Sequence, residues 1–331
     1  MNSSKTFSHA FFIIVTLAGV LLCGVAPAAF AQDKFDKPVR ILVGFPAGGT
    51  ADLIARVVAD KLKDSLGVPV IVDNRPGAIG RIAAEAVKNA APDGTTIMAV
   101  PIGPMAVVPH STKGLNYDPL KDFTPIALGA TFQFALAAGP ESGAKTWQEF
   151  AVWVKANPDK AAYATSGAGS LPHFFGVLLS SELNVPMLHV AYKGSAAYIN
   201  DLIGGQIPAA IDAMADLTEL HRSGKIRILA SSGAKRSTAL PDVPTFKELG
   251  LAGVEATGWF GFFGPANMPK PIVDALNRGI NSALRSPDVV EKLSKIGMDP
   301  ATGSPEEFAR TVGLDYVKWG AVVKASGFTM E

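Results

Sequence analysis

Val39-Arg-Ile-Leu-Val-Gly-Phe-Pro-Ala-Gly-Gly-Thr-Ala-Asp52 is the stretch of the sequence that decides the fold. Its first residues form a short apolar run with β-branched side chains, which is typical of a buried parallel strand. From Thr50 onward the apolar residues recur at helical spacing, and Pro46, Gly48 and Gly49 separate the two patterns. A glycine turn therefore opens onto a helix N-terminus, where free N–H groups and the positive end of the helix dipole favour an anion.

A second stretch later in the chain has the same plan. Ala161-Ala-Tyr-Ala-Thr-Ser-Gly-Ala-Gly-Ser170 is a strand that ends in a turn of small residues, and a helix with Pro172 in its first turn follows. A single turn of this kind is common in α/β proteins and often binds nothing, and neither stretch has the spacing of a dinucleotide fingerprint or a P-loop. Two such turns across a cleft would hold one anion between two helix ends.

Composition and charge set the class of protein. The chain has 331 residues, of which 48% are hydrophobic and 18% are charged, so it can form a sizeable core and about two domains. Lysine and arginine number 30 against 29 acidic residues, so no positive field indicates nucleic acid as a partner.

The N-terminal 31 residues are predicted to be a signal peptide. Lys5 precedes an apolar run, and Ala29-Phe-Ala31 matches the small-x-small cleavage pattern. We therefore expect an exported protein whose mature chain starts at Gln32, with a retained N-terminal anchor helix as the alternative.

Cysteine chemistry is not expected in the mature protein. Cys23 is the only cysteine and lies within the predicted leader, so the mature chain needs neither a disulfide nor a thiol nucleophile. A lipoprotein would be cleaved just before Cys23, but the preceding Leu22 is bulky where a small residue is required.

Strand patterns alternate with helical patterns of ten residues or more, which indicates mostly parallel sheets with crossover helices. Residues 101–118 are predicted to be a loop, and residues 240–250 a short proline-led helix. A new unit begins at the strand predicted for residues 132–138. An aromatic strand at 258–264 precedes three helices, the last of which opens with the capping box Ser304-Pro-Glu-Glu307.

Motifs spread along the whole mature chain resemble those of the Bug proteins, the periplasmic receptors of tripartite tricarboxylate transporters. Each motif is weak alone, but their combination and order are highly specific. The motifs are Phe45-Pro-Ala-Gly-Gly-Thr-Ala-Asp52, Asp73-Asn-Arg-Pro-Gly77, Ala91-Pro-Asp-Gly94, Asp122-Phe-Thr-Pro-Ile126, Gly167-Ala-Gly169, Val190-Ala-Tyr-Lys-Gly194, Asp201-Leu-Ile-Gly-Gly-Gln206 and Leu240-Pro-Asp-Val-Pro244.

The resemblance implies an α/β, two-domain periplasmic binding protein fold of type II, the Venus flytrap, in which each lobe is a mostly parallel sheet flanked by helices. Lobe 1 would comprise residues 32–131 with 258–331, and lobe 2 residues 132–257. In the family a ligand carboxylate is held by backbone groups, partly through water, between two loops that match the two turns of this chain.

The resemblance also implies a set of ligand-binding residues. Asp212 would receive an amino or hydroxyl group of the ligand, with a buried structural acid as the alternative, and Phe260 would be either a cleft wall or part of the core. The full set is Phe45, Ala47, Gly48, Gly49, Thr50, Thr165, Ser166, Gly167, Ala168, Gly169, Asp212 and Phe260.

The chain departs from the family pattern at two places. Ile79-Gly-Arg81 stands where members often have Gly-Gly-Asn, and Pro101-Ile-Gly103 lacks the small hydroxylated residues often found there. Arg81 would either pair with a second carboxylate or lie on the surface and pin its loop.

Other chemistries find little support in the sequence. The five histidines are His9, His110, His173, His189 and His221, and no pair has metal-ligand spacing. His173 would either touch the ligand or bridge its loop and helix. No G-x-S-x-G elbow is present, and Ser166 and Ser170 are typical of hydrogen-bond donors or helix caps. We expect no catalytic residue, no metal and no cofactor.

The leading interpretation is a monomeric receptor that binds a small carboxylate and hands it to membrane transporter subunits. The alternatives are an exported α/β enzyme acting on a small anionic substrate and a receptor that signals through a sensor kinase. The ligand stays open among amino acids, di- and tricarboxylates, nicotinate-like rings and aromatic acids.

Overall fold

The structure is a computed structural model that describes residues 35–330. The predicted signal peptide, residues 1–31, and the predicted mature start, Gln32, lie outside the described residues. Between residues 35 and 330, none of the helices combines the length and the apolar character that crossing a membrane requires.

Strands and helices alternate along most of the described chain. The strands are β1 Val39–Val43, β2 Val70–Asn74, β3 Thr96–Pro101, β4 Phe123–Ala138, β5 Ala162–Thr165, β6 Leu188–Ala191, β7 Ala209–Ala213, β8 Arg227–Ser231, β9 Thr257–Pro265 and β10 Asp299–Pro300. The α-helices are α1 Thr50–Leu66, α2 Arg81–Lys88, α3 Val108–Ser111, α4 Trp147–Ala156, α5 Leu171–Leu183, α6 Ser195–Ile203, α7 Met214–Arg222, α8 Lys270–Arg285, α9 Pro287–Lys295 and α10 Pro305–Ser326.

The strands form one ten-stranded sheet with two parts, which we call sheet I and sheet II. In sheet I, β2, β1 and β3 are parallel, and β9 lies antiparallel between β3 and β4. In sheet II, β6, β5 and β7 are parallel, and β7 and β8 both lie antiparallel to β4. The parallel sheets with crossover helices confirm the predicted α/β class.

Strand β4 belongs to both sheets. Its residues from Phe123 to Gln133 pair with β9, whereas those from Phe134 to Ala138 pair with β7.

Helix α1 forms where the apolar stripe predicted it. Ile54, Val57, Val58 and Leu62 are buried, and they share a cluster with residues of β1, β3 and α8. This packing fixes the start of α1 at the carboxyl edge of sheet I. Burial of each such side chain stabilises the fold by about 1.5–3 kcal/mol.

Two predicted segments are wrong in detail. The region predicted to be a loop, 101–118, contains a π-helical turn, Gly103–Val107, followed by α3. Pro104 and Pro109 occupy first-turn positions, where a proline needs no N–H acceptor, so these prolines start helical turns and do not prevent them. The short helix predicted for residues 240–250 is a succession of turns, in which Thr245 forms a bridge with Ser231 of β8.

Candidate ligand-binding site

The first turn, Phe45 to Thr50, leaves the carboxyl edge of β1 and opens α1. Gly48 has φ +84°, which L side chains rarely adopt, and a Cβ there would meet no atom within 4 Å. The N-cap of α1 is Gly49, which has no side chain to satisfy the first-turn amides. Open space and free amides therefore occur together at this turn.

Asp52 modifies the expectation that every amide of this turn is free. Its carboxylate accepts hydrogen bonds from the Gly48 amide at 2.8 Å, from Arg56 Nε at 2.8 Å and from Asn74 Nδ2 at 2.9 Å. Burial opposes ionisation, but these three donors outweigh it and lower the pKa of Asp52 to about 2. Asn74 also donates to the Phe45 carbonyl, so this network holds the turn in one shape.

Some amides of the first turn are nevertheless available. The Gly49 amide donates to the Pro46 carbonyl at 3.4 Å. For the amides of Ala47, Thr50 and Ala51, no protein acceptor is found within residues 35–330. They are the groups of this turn that an anion can contact.

The second turn, Thr165 to Ser170, leaves the carboxyl edge of β5 and opens α5. Ser170 is the N-cap, and its hydroxyl accepts from the His173 amide. The Gly167 amide donates to Thr165 Oγ1 at 3.3 Å. The amides of Ser166 and Ala168 have no acceptor among the described residues, and a Cβ on Gly167 would meet nothing within 4 Å.

Two stacked histidines form hydrogen bonds with residues of the second turn. His173 Nδ1 accepts the Gly169 amide at 3.2 Å, and its ring stacks on His189 with centroids 3.9 Å apart. His189 Nε2 lies 2.8 Å from Thr165 Oγ1. Burial lowers the pKa of His173, and burial together with the neighbouring His173 lowers the pKa of His189 to about 4. Both rings are therefore neutral near pH 7. Because His173 on α5 accepts the amide of Gly169 in the turn, it bridges loop and helix, which is one of the two roles predicted for it.

The C-terminal segment also contacts the second turn. The Phe328 ring packs edge-on against His173 at 5.0 Å, and a Cβ on Gly169 would lie 3.0 Å from both Phe328 and Met330. The Met330 amide donates to the Ser111 carbonyl, just after the π-helical turn of residues 103–107. The tail therefore links the second turn to the region that follows β3.

Asp212 lies on β7 beside the second turn. It is 4% exposed; its Oδ1 accepts the Ala213 amide at 2.9 Å, and its Oδ2 is buried with no partner in the described chain. The Tyr198 hydroxyl is also buried and has no hydrogen-bond partner of good geometry in residues 35–330; burial, and after it the nearby Asp212, raise its pKa. Burial raises the pKa of Asp212 itself to about 6. The Ser166 and Tyr198 hydroxyls both lie near Asp212, and this group of buried polar atoms is suited to a hydrogen-bonding ligand group.

The two predicted aromatic residues belong to sheet I. Phe260 on β9 is 8% exposed, and its ring lies 5.6 Å from that of Phe132. Phe45 packs on the same apolar cluster. Phe45 and Phe260 thus share one apolar cluster, and Asp212 lies near Ser166 of the second turn. No hydrogen bond within residues 35–330 joins the first turn to the second.

A strained turn lies beside the first turn at the same edge of sheet I. Gly77, Ala78, Ile79 and Gly80 all have positive φ, at 140°, 47°, 55° and 84°. Positive φ is a genuine outlier for a β-branched residue such as Ile79. A Cβ on Gly44 would lie 2.5 Å from the Gly80 Cα, so only glycines allow the two turns to approach this closely.

Three surface grooves lie elsewhere. A groove of about 460 Å³ is lined by Lys145, Lys225 and Arg227 among others, and further grooves of about 220 and 390 Å³ adjoin α10. None of these three contains a residue of either turn.

Sequence reasoning did not identify Asp52, Tyr198 and His189 as parts of these clusters. The i, i+4 spacing of Asp52 and Arg56 would have allowed an ion pair in the first helical turn to be predicted. No local pattern marks Tyr198 or His189, because the residues that they contact come from other strands and helices.

Solved structures of binding proteins match this fold. The periplasmic binding protein BugD matches with TM-score 0.73 and 32% identity, covering 90% of this chain and 100% of that one. MatC of Rhodopseudomonas palustris with bound malate matches with TM-score 0.73 and 32% identity, covering 87% of this chain and 100% of MatC. An R. palustris protein with adipate matches with TM-score 0.76 and 32% identity, covering 89% of this chain and 98% of that protein. The fold therefore defines the class: a two-lobed periplasmic binding protein, a receptor and not an enzyme.

The family follows from the sequence comparisons. Residues 54–328 match the model of the tripartite tricarboxylate transporter family receptor. BugT of Bordetella pertussis is 32% identical over 321 residues, which cover 96% of this chain and 98% of BugT. The chain belongs to this receptor family, as its motifs predicted.

Proposed function

We propose that this chain captures a small carboxylate in a cleft between its two lobes and delivers it to a tripartite tricarboxylate transporter. The observation that carries the proposal is the pair of turns. Each follows a parallel strand, opens a helix, and keeps amides that have no acceptor in the described chain. Membership of the receptor family supports the transport role, and the relatives solved with malate and adipate support a carboxylate ligand.

The ligand carboxylate binds to the free amides of the two turns, and Asp212 receives a hydroxyl or amino group. Phe45 and Phe260 form the apolar wall on the side of sheet I. The proposed ligand-binding residues are Phe45, Ala47, Gly48, Gly49, Thr50, Thr165, Ser166, Gly167, Ala168, Gly169, Asp212 and Phe260.

The lobes proposed are residues 32–131 with 258–331, and residues 132–257. The change of partner within β4, between Gln133 and Phe134, supports a boundary there. The receptor works in the periplasm as a monomer, and the ligand favours the closed arrangement because it contacts both lobes only when they are closed. The membrane subunits then recognise the closed form.

A thermal-shift screen of the mature protein, starting at Gln32, tests this proposal against small carboxylates, amides and phosphates. A ligand present at 100 times its dissociation constant adds about 2.7 kcal/mol to the free energy of unfolding. We expect a carboxylate to raise the melting temperature and to be recovered chemically unchanged. A panel in which only non-carboxylates bind, or a ligand that is consumed, contradicts the proposal.

Glycine substitutions test the site itself. Gly167→Val places a side chain in open space at a backbone conformation that valine tolerates, so we expect a folded protein that no longer binds the ligand. Gly48→Val adds strain at φ +84° and should also abolish binding. The control is Gly313→Val on α10, where a Cβ also meets no atom within 4 Å. Unchanged affinity in both turn variants rules out this site.

A further inference from the structure

Arg81, the first residue of α2, has a cationic side chain that no residue between 35 and 330 pairs with. Its Nε atom is buried and has no hydrogen-bond acceptor in the described chain. Its side chain forms no ion pair within residues 35–330, although Glu85 lies one helical turn further along, at a spacing that allows one. The protein has therefore partly desolvated this guanidinium without supplying an acceptor, which is unfavourable until one is found.

The other arginines of the described chain do not share this condition. Arg56 and Arg75 pair with Asp52 and Asp73, and Arg222 and Arg236 pair with glutamates. The unpaired arginines are exposed to solvent, and these are Arg40, Arg227, Arg278, Arg285 and Arg310. Arg81 differs because it is half-buried and unpaired.

The backbone before Arg81 holds it in place at an energetic cost. The left-handed conformations of Ala78 and Ile79 each cost about 1–3 kcal/mol. Such strain persists only where the surrounding structure enforces it, and here the close approach of Gly80 to Gly44 does so. The strained turn thus fixes where α2 starts and where Arg81 emerges.

Arg81 emerges beside the first turn. A Cβ on Gly80, its neighbour, would lie 3.2 Å from the Phe45 ring and 3.3 Å from Pro104. The Tyr117 hydroxyl donates to the Pro104 carbonyl at 2.8 Å, and the charge of Arg81 opposes the burial-driven rise in the Tyr117 pKa. The helix that Arg81 opens therefore starts at the carboxyl edge of sheet I, from which the first turn also leaves, and the charge of Arg81 lies near the Tyr117 hydroxyl.

We infer that Arg81 binds a second anionic group of the ligand, so that this receptor selects dicarboxylates over monocarboxylates. The inference rests on the proposed function, in which the amides of the two turns hold the first carboxylate. The outer nitrogens of Arg81 are not among the buried unpartnered atoms, so they are open to a ligand. A planar guanidinium matches the two oxygens of a carboxylate in a bidentate pair.

Isothermal titration calorimetry on the mature protein tests the inference with matched probes. The probes are the diacids malonate, succinate, glutarate and adipate, each compared with its monoamide, which has nearly the same shape and one charge fewer. We expect one or more diacids to bind about 10- to 100-fold more tightly than the corresponding monoamide, the range expected for one hydrogen-bonded charge. Arg81→Gln should remove this preference and leave monoamide binding unchanged, whereas Arg81→Lys should retain part of it.

Arg75→Gln is the matched control, because it removes the same charge from the same segment but from an arginine that is paired with Asp73. It should keep the preference for diacids. A wild-type protein that binds diacids and monoamides equally overturns the inference about Arg81 and leaves the proposed function intact. An Arg81→Gln variant that keeps the full preference has the same consequence, whereas a wild-type protein that binds no carboxylate overturns both.

Discussion

At the scale of single residues, we expect Asp212 to make the protein's stability depend on pH. Burial raises the pKa of its carboxyl to about 6 in the folded chain, above the ordinary value of 3.8. The folded state therefore holds this proton more tightly than the unfolded state does. The resulting stabilisation is complete below pH 3.8 and is lost as the pH rises through 6.

Asp212→Asn should remove this dependence, because an amide cannot ionise. We expect the variant to be more stable than the wild type at pH 8, by about 1–3 kcal/mol, and equally stable at pH 3.5. Urea denaturation of both proteins at the two pH values measures the difference. Equal stability of the two proteins at pH 8 contradicts the raised pKa. Asp274→Asn is the control, since this half-exposed acid pairs with Lys270 on α8.

Residue-level prediction succeeded where a local pattern carried the information. Gly48 and Gly49 marked the first turn because a sharp turn between a strand and a helix needs them. The use of the Gly48 amide by Asp52 was not predicted, because it depends on a side-chain rotamer. The stack of His173 on His189 was not predicted either, because it joins residues from α5 and β6.

At the scale of elements, the C-terminal tail should control the second turn. Phe328 packs on His173 and Phe174, and His173 in turn accepts the Gly169 amide. Phe328→Ala should weaken ligand binding about 3- to 10-fold, equivalent to about 0.7–1.4 kcal/mol. Calorimetric titration with the best carboxylate from the thermal-shift screen measures the change.

Leu314→Ala on α10 serves as the control for this effect. Leu314 is 67% exposed, so its truncation removes little packing and should leave affinity unchanged. If Phe328→Ala lowers the melting temperature but keeps full affinity, the tail stabilises the fold without positioning the turn.

Predictions of elements failed where proline and glycine interrupted a pattern. Strand β4 was predicted to start at Phe132, but it starts at Phe123. Its first part contains Pro125, which cannot donate to a ladder, and the register shifts both there and next to Gly129. Because the pairing is irregular, this part of β4 lacks the regular alternation of apolar and polar residues from which a strand is predicted. The tertiary fold nevertheless tolerates the irregular pairing.

At the scale of the whole molecule, ligand binding should bring the lobes together. The only cysteine of the chain, Cys23, lies in the predicted leader, so fluorescent labels attach only to introduced cysteines in the mature protein. Val152 on α4 and Val317 on α10 are 69% and 70% exposed. With both replaced by cysteine and labelled, energy transfer should increase when the carboxylate ligand is added.

A second labelled pair separates lobe motion from local effects. Val152 and Leu188 lie in the same proposed lobe, and Leu188 is 68% exposed. Energy transfer between them should not change with the ligand. Binding that leaves both pairs unchanged contradicts closure.

The overall architecture was predictable only in part from physical patterns. Alternating strand and helix signals predicted parallel sheets, but they carry no information on which distant strands become neighbours. The place of β9 between β3 and β4 depends on such long-range packing. The resemblance to a receptor family supplied the two-lobed arrangement that the local patterns lacked.

The insertion of β9 between β3 and β4 also sets the order in which the protein can be built. When the ribosome has synthesised only β1, β2 and β3, the inner edge of β3 has no partner, and the face of α1 that later contacts α8 stays uncovered. Both partners are encoded near the end of the gene. Sheet I therefore has high contact order, and a nascent chain remains incompletely folded until synthesis is nearly finished.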